Sequence, residues 1–319
     1  MSTSTAQRPA AGRSQTPPGG GARRRRRRPL LGKNPFGLLL STPYLIFVLA
    51  VFAYPLVFAF WMSFHDYFFA APGAQVDRPF VGLDNFREVL SDPAIIRSFG
   101  NVGIFLLINV PLTVVLSLVL ANALNKAVRF RTFLRVSYYV PYVTASVAVV
   151  GVWIFLFSGN GLVNQILGPL APDPPWLINE TWAMPTIAIF VTWKGLGFFI
   201  LLYLAALQNV SEELYEAAAT DGAGKIRSFF SVTVPGVRPA TVLVLLLSTV
   251  TGANLFTEPY LLTGGGGPNG ASSSPVLMMY QRGIEQGSPD TAAAIGVILV
   301  IGVLILAFIQ RKLAGGDES

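Results

Sequence analysis

The chain has 319 residues, of which 52% are hydrophobic and only 12% are charged. Soluble domains carry roughly a quarter charged residues, so this composition excludes an ordinary water-soluble protein. There is no cysteine and only one histidine, His65. These counts exclude a disulfide framework, a thiolate metal site and a thiol nucleophile.

The N-terminal residues 1–35 are rich in Pro, Gly, Ser and Arg, and six consecutive arginines occupy positions 23–28. Such a composition does not form a packed core and predicts a disordered basic tail. The arginine run has two interpretations. It is either a nucleic-acid or anionic-lipid site, or a tail that sets membrane topology. Its position just before an apolar segment favours the second.

Long apolar windows follow the tail. About 20 apolar residues are needed for a helix to cross the hydrocarbon layer. Six windows satisfy this requirement. Lys194 lies inside one of them, and Glu258 lies at the outer end of another. The six windows lie at about 42–64, 101–124, 136–157, 185–207, 239–258 and 291–310. The pattern predicts an all-α integral membrane protein with about six transmembrane helices. Buried helices of a large soluble core are disfavoured.

Lysines and arginines are distributed unequally between the connections. They cluster before the first window, after the second, after the fourth and after the sixth. The positive-inside rule then predicts that both termini lie in the cytoplasm. Residues 36–98 are expected to form the first span and an external loop, and residues 99–311 the remaining helical core.

Catalytic motifs are missing from the sequence. It contains no nucleotide-binding loop, no HExxH motif and no paired carboxylates in a plausible pocket. The glycine-rich run at 264–270 lacks a lysine and is expected to be a flexible external turn between the fifth and sixth spans. We therefore predict that the chain is not an enzyme and has no metal site. We expect it either to transport a solute or to bind another molecule.

The cytoplasmic segment 211–235 has a pronounced helix pattern. Ser211 is a good N-cap, acidic residues follow it, and Gly222 suits a left-handed helix end. One face of this helix is small and shallow and carries Leu214, Ala217, Ala218 and Asp221. The pattern leaves two alternatives open, a docking helix for another protein and an amphipathic helix on the membrane surface.

The same segment resembles the EAA loop of the membrane subunits of ABC importers. The resemblance is carried by Glu216, Ala217, Ala218, Asp221, Gly222 and Pro235. The chain departs from the family pattern conservatively, with Val232 and Val234 at the two aliphatic positions before the proline. In this family the loop forms a coupling helix that sits in a cleft of the ATP-hydrolysing subunit.

Further stretches are similar to the carbohydrate-uptake type of ABC permease. They lie at 43–45, 54–55, 61–64, 80–86, 139–142, 161–164, 192–198 and 262–268. The likeness thus extends over about residues 36–311 and stops at the tail. It implies a type I ABC importer permease fold and a location in a bacterial cell membrane.

The resemblance also implies partners. These are an ABC ATPase dimer, a second and related permease subunit, an extracytoplasmic solute-binding protein and membrane lipid, with no nucleic acid. The chain itself would hold no cofactor, and ATP would be used by the partner subunits. The implied function is half of the pathway for a sugar or sugar-like solute, such as an oligosaccharide, a polyol or glycerol phosphate.

A neutral solute needs hydrogen-bonding groups and aromatic faces along its path. Polar or aromatic candidates within or next to spans are Asn101, Asn109, Tyr138, Tyr139, Lys194, Asn254 and Tyr260. Some of them have the alternative role of joining helices by hydrogen bonds. Lys194 could face an aqueous path or an anionic solute, pair with Glu258, or snorkel.

Three other functions compete with this one. The first is a permease of the same fold for a non-sugar solute. The second is an ion-coupled secondary transporter, which is disfavoured because no internal repeat is evident and no Asp or Glu lies in mid-span. The third is a membrane scaffold that uses the segment 211–235 as a general docking site.

Overall fold

The computed structural model describes residues 35–71, 73–125 and 130–314. The tail with the arginine run at 23–28 lies outside the described residues. Within them the chain forms helices and turns, and no strand occurs. The first eight α-helices are α1 (Pro35–Val48), α2 (Tyr54–Met62), α3 (Asp84–Ser91), α4 (Pro93–Asn125), α5 (Arg131–Val143), α6 (Ser146–Leu156), α7 (Leu162–Leu167) and α8 (Ala183–Leu207).

The remaining helices follow α8 in the chain. They are α9 (Glu212–Thr220), α10 (Lys225–Ser228), α11 (Val234–Gly236), α12 (Arg238–Ala253), α13 (Thr257–Leu262), α14 (Pro275–Tyr280) and α15 (Pro289–Ala314). Three π-helical segments join consecutive helices, at Leu49–Ala53, Phe229–Thr233 and Gln281–Glu285. Residues 53–319 form the larger of two compact units, and the packing described below lies within it.

Four helical segments are long and apolar enough to cross a membrane. They are Leu39–Met62, Pro93–Asn125, Ala183–Leu207 and Pro289–Leu313. Two bent pairs of helices raise the number to six if each pair is one span. An all-helical chain with four to six apolar spans is therefore confirmed. The second span starts about two turns earlier than its apolar window, because α4 continues outward from the window towards α3.

The third predicted span is divided. The sequence predicts one helix over 136–157, whereas the structure has α5 and α6, bent by 98°. The backbone is extended at Thr144 and Ala145, with ψ values of 139° and 127°. Pro141 lies in the last turn of α5 and has no N–H to donate, which weakens that turn.

The fifth predicted span, 239–258, is also changed. α12 covers Arg238–Ala253, and a separate short helix, α13, follows. Before α12 the helical stretch Lys225–Gly236 meets it at 71°. Pro235 lies within α11, and the break follows at Val237, where φ is −101° and ψ is 11°.

The core of the larger unit is centred on α4 and α8. One cluster packs Leu118 of α4, Phe199 and Tyr203 of α8 and Val244 of α12. A second cluster, nearer the other ends of α4 and α8, includes Phe105 and other buried side chains of α6, α8 and α13. We call this second end the outer end, since α9 follows the opposite end of α8.

α5 approaches α8 closely because Gly197 has no side chain. A Cβ atom built on Gly197 would lie 2.3 Å from the backbone oxygen of Tyr138 and 2.7 Å from the Cα atom of Tyr139. Real Cβ atoms do not approach backbone so closely, and the backbones of the two helices are thus in direct contact. Gly197 sets the position of the first half of the broken span.

α15 is bonded to α12. Gln310 Nε2 donates to Thr249 Oγ1 at 2.7 Å, and Thr249 is buried. Hydrogen bonds between spans resist separation because lipid offers no alternative partner. The last helix and α12 are consequently tied near the end of the described chain.

The glycine-rich run at 264–270 is a compact turn. Asn101 Nδ2 donates to the carbonyl oxygens of Gly270 at 2.8 Å and Ser273 at 3.0 Å. Arg97 donates to Asn269 O at 2.8 Å and pairs with Glu180, which also accepts from Asn269 Nδ2. The sequence predicts a flexible connection here, but these bonds hold the turn to α4.

Gly197→Ala tests the helix contact. We expect it to lower the free energy of unfolding by about 1–3 kcal/mol, because the new methyl group forces α5 away from α8. The measurement is thermal unfolding in detergent. Gly195→Ala is the control, since its Cβ would meet only the Phe199 ring at 3.5 Å. Equal stability of the two variants would contradict the direct backbone contact.

Candidate functional site

The segment predicted as a coupling loop contains the helix α9. Ser211 has an extended backbone, and its Oγ accepts from the Glu213 N–H at 3.3 Å. Glu212 and Glu213 occupy the first turn, where the helix dipole favours acids. The local sequence therefore starts the helix at the position that its capping pattern indicates.

α9 ends in a Schellman motif. Ala223 N donates to Ala218 O at 2.8 Å, and Gly222 N donates to Ala219 O at 3.0 Å. Gly222 has a φ of +76°, which side-chain-bearing residues rarely adopt. A Cβ at Gly222 would meet nothing within 4 Å. The requirement for glycine is therefore conformational and not a matter of space.

A hydroxyl pair fastens α9 to the helical stretch that leads into α12. Tyr215 OH lies 3.0 Å from Thr233 Oγ1, and Thr233 is buried in the following π-helical segment. Tyr215 and Ala218, three residues apart, are partly buried on the same face of α9. This contact connects a displacement of α9 to the base of the fifth span.

The other side of α9 is open. Glu216, Ala217 and Asp221 are exposed, and the Leu214 side chain is 53% exposed. The sequence places Ala218 on the same face as Leu214, but Ala218 turns partly inward. Two further apolar side chains beyond α9, Ile226 and Phe230, are 78% and 65% exposed. We refer to these exposed apolar side chains of the segment 211–235, Leu214, Ile226 and Phe230, as the coupling surface.

The side chains of two predicted solute-path residues donate hydrogen bonds within the chain. Asn109 is buried, and its Nδ2 donates to Thr192 Oγ1 at 2.8 Å, joining α4 to α8. Asn101 holds the glycine-rich turn. Their geometry matches the helix-joining alternative that the sequence left open.

Lys194 lies at the break in the third span. Its Nζ donates to Ser146 Oγ, and Ser146 is the first residue of α6. Lys194 is partly buried, and no ion pair joins it to Glu258 in the described part of the chain. The ammonium group thus links α8 to the Ser146 side chain of α6 and keeps further donor capacity.

Asn254 and Tyr260 are exposed near the outer end of α12. Asn254 Nδ2 donates to Val250 O at 2.8 Å within its own helix. The Tyr260 ring stacks on Phe256 with centroids 5.5 Å apart, and Tyr280 meets it edge-on at 5.8 Å. Phe256, Tyr260 and Tyr280 thus form a cluster of aromatic rings, and such rings can bind the faces of a sugar.

Tyr138 packs partly buried against the core cluster around α8. Its neighbour Tyr139 contacts Tyr142, with ring centroids 5.6 Å apart. Tyr280 was not singled out from the sequence, because it lies in a different helix from Phe256 and Tyr260. Of these three rings the sequence analysis names only Tyr260. The spacing of Phe256 and Tyr260, four residues apart, is the signal in the sequence that could have indicated an aromatic surface. Within the described residues, no group of three or more His, Cys, Asp or Glu side chains could hold a metal ion.

A protein family described as "Binding-protein-dependent transport system inner membrane component" matches residues 113–315. The chain belongs to this family. The match includes α9, the break in the third span and all helices from α5 onward. The chain is accordingly a multi-pass inner membrane protein and a permease component of a transport system, not an enzyme.

Relatives of this family member cover most of its length. It is 33% identical over 286 residues to the arabinooligosaccharides transport system permease protein AraP of Bacillus subtilis. This alignment covers 88% of this chain and 89% of AraP. It is 32% identical over 278 residues to the trehalose/maltose transport system permease protein MalF of Thermococcus litoralis. This alignment covers 86% of this chain and 92% of MalF.

The fold matches a solved permease structure. A chain of a bacterial ABC transporter that imports the acidic polysaccharide alginate aligns with a TM-score of 0.72 and 21% identity. The alignment covers 90% of this chain and 97% of that chain. The type I ABC importer permease fold expected from the sequence is confirmed.

Thr192→Val tests the role of Asn109. The substitution removes the acceptor of a buried amide donor, and we expect a loss of about 1 kcal/mol in the free energy of unfolding. Thermal unfolding measures it, with Thr251→Val as control, because the exposed Thr251 hydroxyl bonds only within its own helix. Unchanged stability together with an altered KM for solute would instead assign Asn109 to the solute path.

Proposed function

We propose that this permease forms half of the translocation pathway of an ATP-driven importer for a sugar or sugar-like solute. The coupling surface is the observation that carries the proposal. α9 is a capped helix with an open face, and Leu214, Ile226 and Phe230 expose apolar area beside it. Such a surface on a polar connection between spans fits a protein partner.

The partner at this surface is an ABC ATPase dimer. The exposed residues Glu216, Ala217 and Asp221 face its cleft, while Gly222 and Pro235 shape the chain behind α9. Because Tyr215 bonds to Thr233, a push on α9 is transmitted to the helical stretch Lys225–Gly236. That stretch meets α12 at 71°, so the displacement tilts the fifth span.

The orientation follows from charge. We place both termini and the coupling surface in the cytoplasm, since lysines and arginines are concentrated in the connections on that side. The outer end of the bundle, with the glycine-rich turn and the Tyr260 ring, then faces an extracytoplasmic solute-binding protein. ATP is used by the partner subunits, and this chain holds no cofactor.

A second permease subunit completes the pathway. Many large apolar side chains of the single chain are exposed, and Asn254, Tyr260 and Lys194 lie on accessible or partly accessible surfaces. Facing a second subunit, these groups line a shared central passage. Asn109 and Tyr138 lie deeper in the bundle. They contribute to the path indirectly, by supporting the helices that form its wall.

The solute class is supported by the relatives. AraP and MalF are named for arabinooligosaccharides and for trehalose and maltose. The structurally similar alginate transporter was also solved in complex with a periplasmic protein that carries a bound alginate pentasaccharide. Aromatic rings with nearby amides suit such ligands. The alternative is a non-sugar solute carried by the same fold. Lys194 favours an anionic group on the solute in either case.

Gly222→Val tests coupling. A β-branched residue at φ +76° costs about 1–3 kcal/mol, so we expect the end of α9 to rearrange. ATP hydrolysis should continue while uptake falls strongly, which is measured by ATPase activity and solute accumulation in the same proteoliposomes. Gly224→Val is the matched control: its site is equally open, and its φ is −67°.

Normal uptake by the Gly222→Val transporter would falsify the assignment of α9 as the coupling helix. Co-purification from the native membrane tests the partners directly. It should recover an ATPase, a second permease and a solute-binding protein together with this chain. Recovery of the chain alone, with uptake intact in vesicles lacking any ATPase, would exclude the proposed importer.

Asn254→Ala and Tyr260→Ala test the solute path. We expect each to raise the KM for sugar uptake severalfold while the basal ATPase rate is retained, because both side chains lie away from the coupling surface. The measurement is uptake over a series of neutral and acidic sugars. Thr251→Ala serves as a nearby exposed control. Unaltered uptake by both variants would remove these residues from the path.

A further inference from the structure

The connection between α6 and α8 lies beside the outer ends of both helices. Phe157, directly after α6, contacts the Trp176 ring, with centroids 5.8 Å apart. Trp176 in turn contacts Trp182, the residue before α8, at 5.4 Å. Tryptophan is enriched where membrane helices meet the lipid–water interface. The connection is therefore held at the depth at which two spans leave the hydrocarbon.

Three large apolar side chains between Phe157 and Leu170 are exposed. Leu162, Ile166 and Leu170 are 52%, 75% and 82% exposed. Leu162 and Ile166 are four residues apart in α7 and share a face. Val163 and Leu167 are partly buried and hold the other side of α7 to the chain. A loop surrounded by water would expose so much apolar surface at a cost.

The polar groups of the connection are satisfied internally. Asn164 Nδ2 donates to Gly159 O at 3.1 Å, and Gln165 Nε2 donates to Asn160 O at 3.0 Å. Asn164 Oδ1 accepts from Trp176 Nε1 at 2.6 Å. Internal bonding of this kind suits surroundings with little water.

The stretch that carries these side chains has little charge. No Asp, Glu, Lys or Arg occurs from position 136 to position 172, and Asp173 is the first charged residue after Leu170. Protein–protein interfaces surround their apolar centre with a polar and charged rim, whereas the connection between α6 and α8 offers only Asp173 and Glu180 as charged residues. The composition distinguishes this surface from the coupling surface, which has Glu212, Glu213 and Asp221 beside it.

From these observations we infer that the connection 157–170 is an interfacial membrane anchor. Leu162, Ile166 and Leu170 insert among the lipid acyl chains of the leaflet at the outer end of the bundle. The occupant of this apolar surface is lipid and not the solute-binding protein or the second permease. The anchor holds the outer end of α6 at the membrane surface while α5 moves with α8.

The absence of cysteine in the chain provides a direct test. Single variants Ile166→Cys and Leu170→Cys are spin-labelled in the assembled transporter, with cysteine-free partner subunits, in lipid nanodiscs. Collision rates are measured with oxygen, which concentrates in lipid, and with a nickel chelate, which stays in water. We expect the ratio of oxygen to nickel collisions to be severalfold higher at these two positions than at Gln75→Cys.

Three reference positions calibrate the measurement. Gln75 is exposed in the external loop and reports water, whereas Leu304 is exposed in the middle of α15 and reports lipid. Val163→Cys lies on the protein-facing side of α7 and should collide little with either reagent. The labels at 166 and 170 should resemble the label at 304, and addition of the solute-binding protein should not change them.

Two results would overturn the anchor. A collision ratio at 166 and 170 equal to that at 75 would place the connection in water. Low collision rates with both reagents, as at 163, or shielding that appears only when the solute-binding protein is added, would show that a protein covers the surface.

Discussion

The absence of water in the hydrocarbon layer governs this fold, because every backbone N–H and C=O inside it needs a partner from the protein. Continuous helices meet this requirement by themselves, as α4, α8 and α15 do. Around the break at Thr144 and Ala145 the backbone bonds locally, since Thr144 N donates to Val140 O at 3.1 Å and Val149 N donates to Ala145 O at 3.4 Å. α8 holds both halves of the bent span, because Gly197 allows α5 to lie directly on it and Lys194 bonds to the Ser146 side chain of α6.

Different contacts hold the two ends of the bundle. On one side, the Tyr215–Thr233 contact and the 71° junction link α9 to α12. On the other, Asn101, Arg97 and Glu180 hold the glycine-rich turn against α4. Both ends are fastened through side chains, and further side-chain bonds join the spans between them: Asn109 to Thr192, Lys194 to Ser146 and Gln310 to Thr249.

The sequence predicted the elements that depend on local composition. Apolar length located the spans, and capping residues placed both ends of α9 correctly at Ser211 and Gly222. A proline precedes each break in the sequence, Pro141 before Thr144 and Pro235 before Val237, but the bend angles of 98° and 71° depend on packing against distant segments and could not be predicted. The role of Asn109 was undecidable for the same reason: its partner Thr192 is distant in sequence. The solute path is harder still, since half of its wall belongs to another chain.

The bond between Gln310 and Thr249 has a consequence for the end of the polypeptide. α15 is attached to α12 close to its last turn, so α15 follows when α12 tilts. A reporter group placed on the last turn of α15 would therefore register movements of α12 without any substitution in α12 itself.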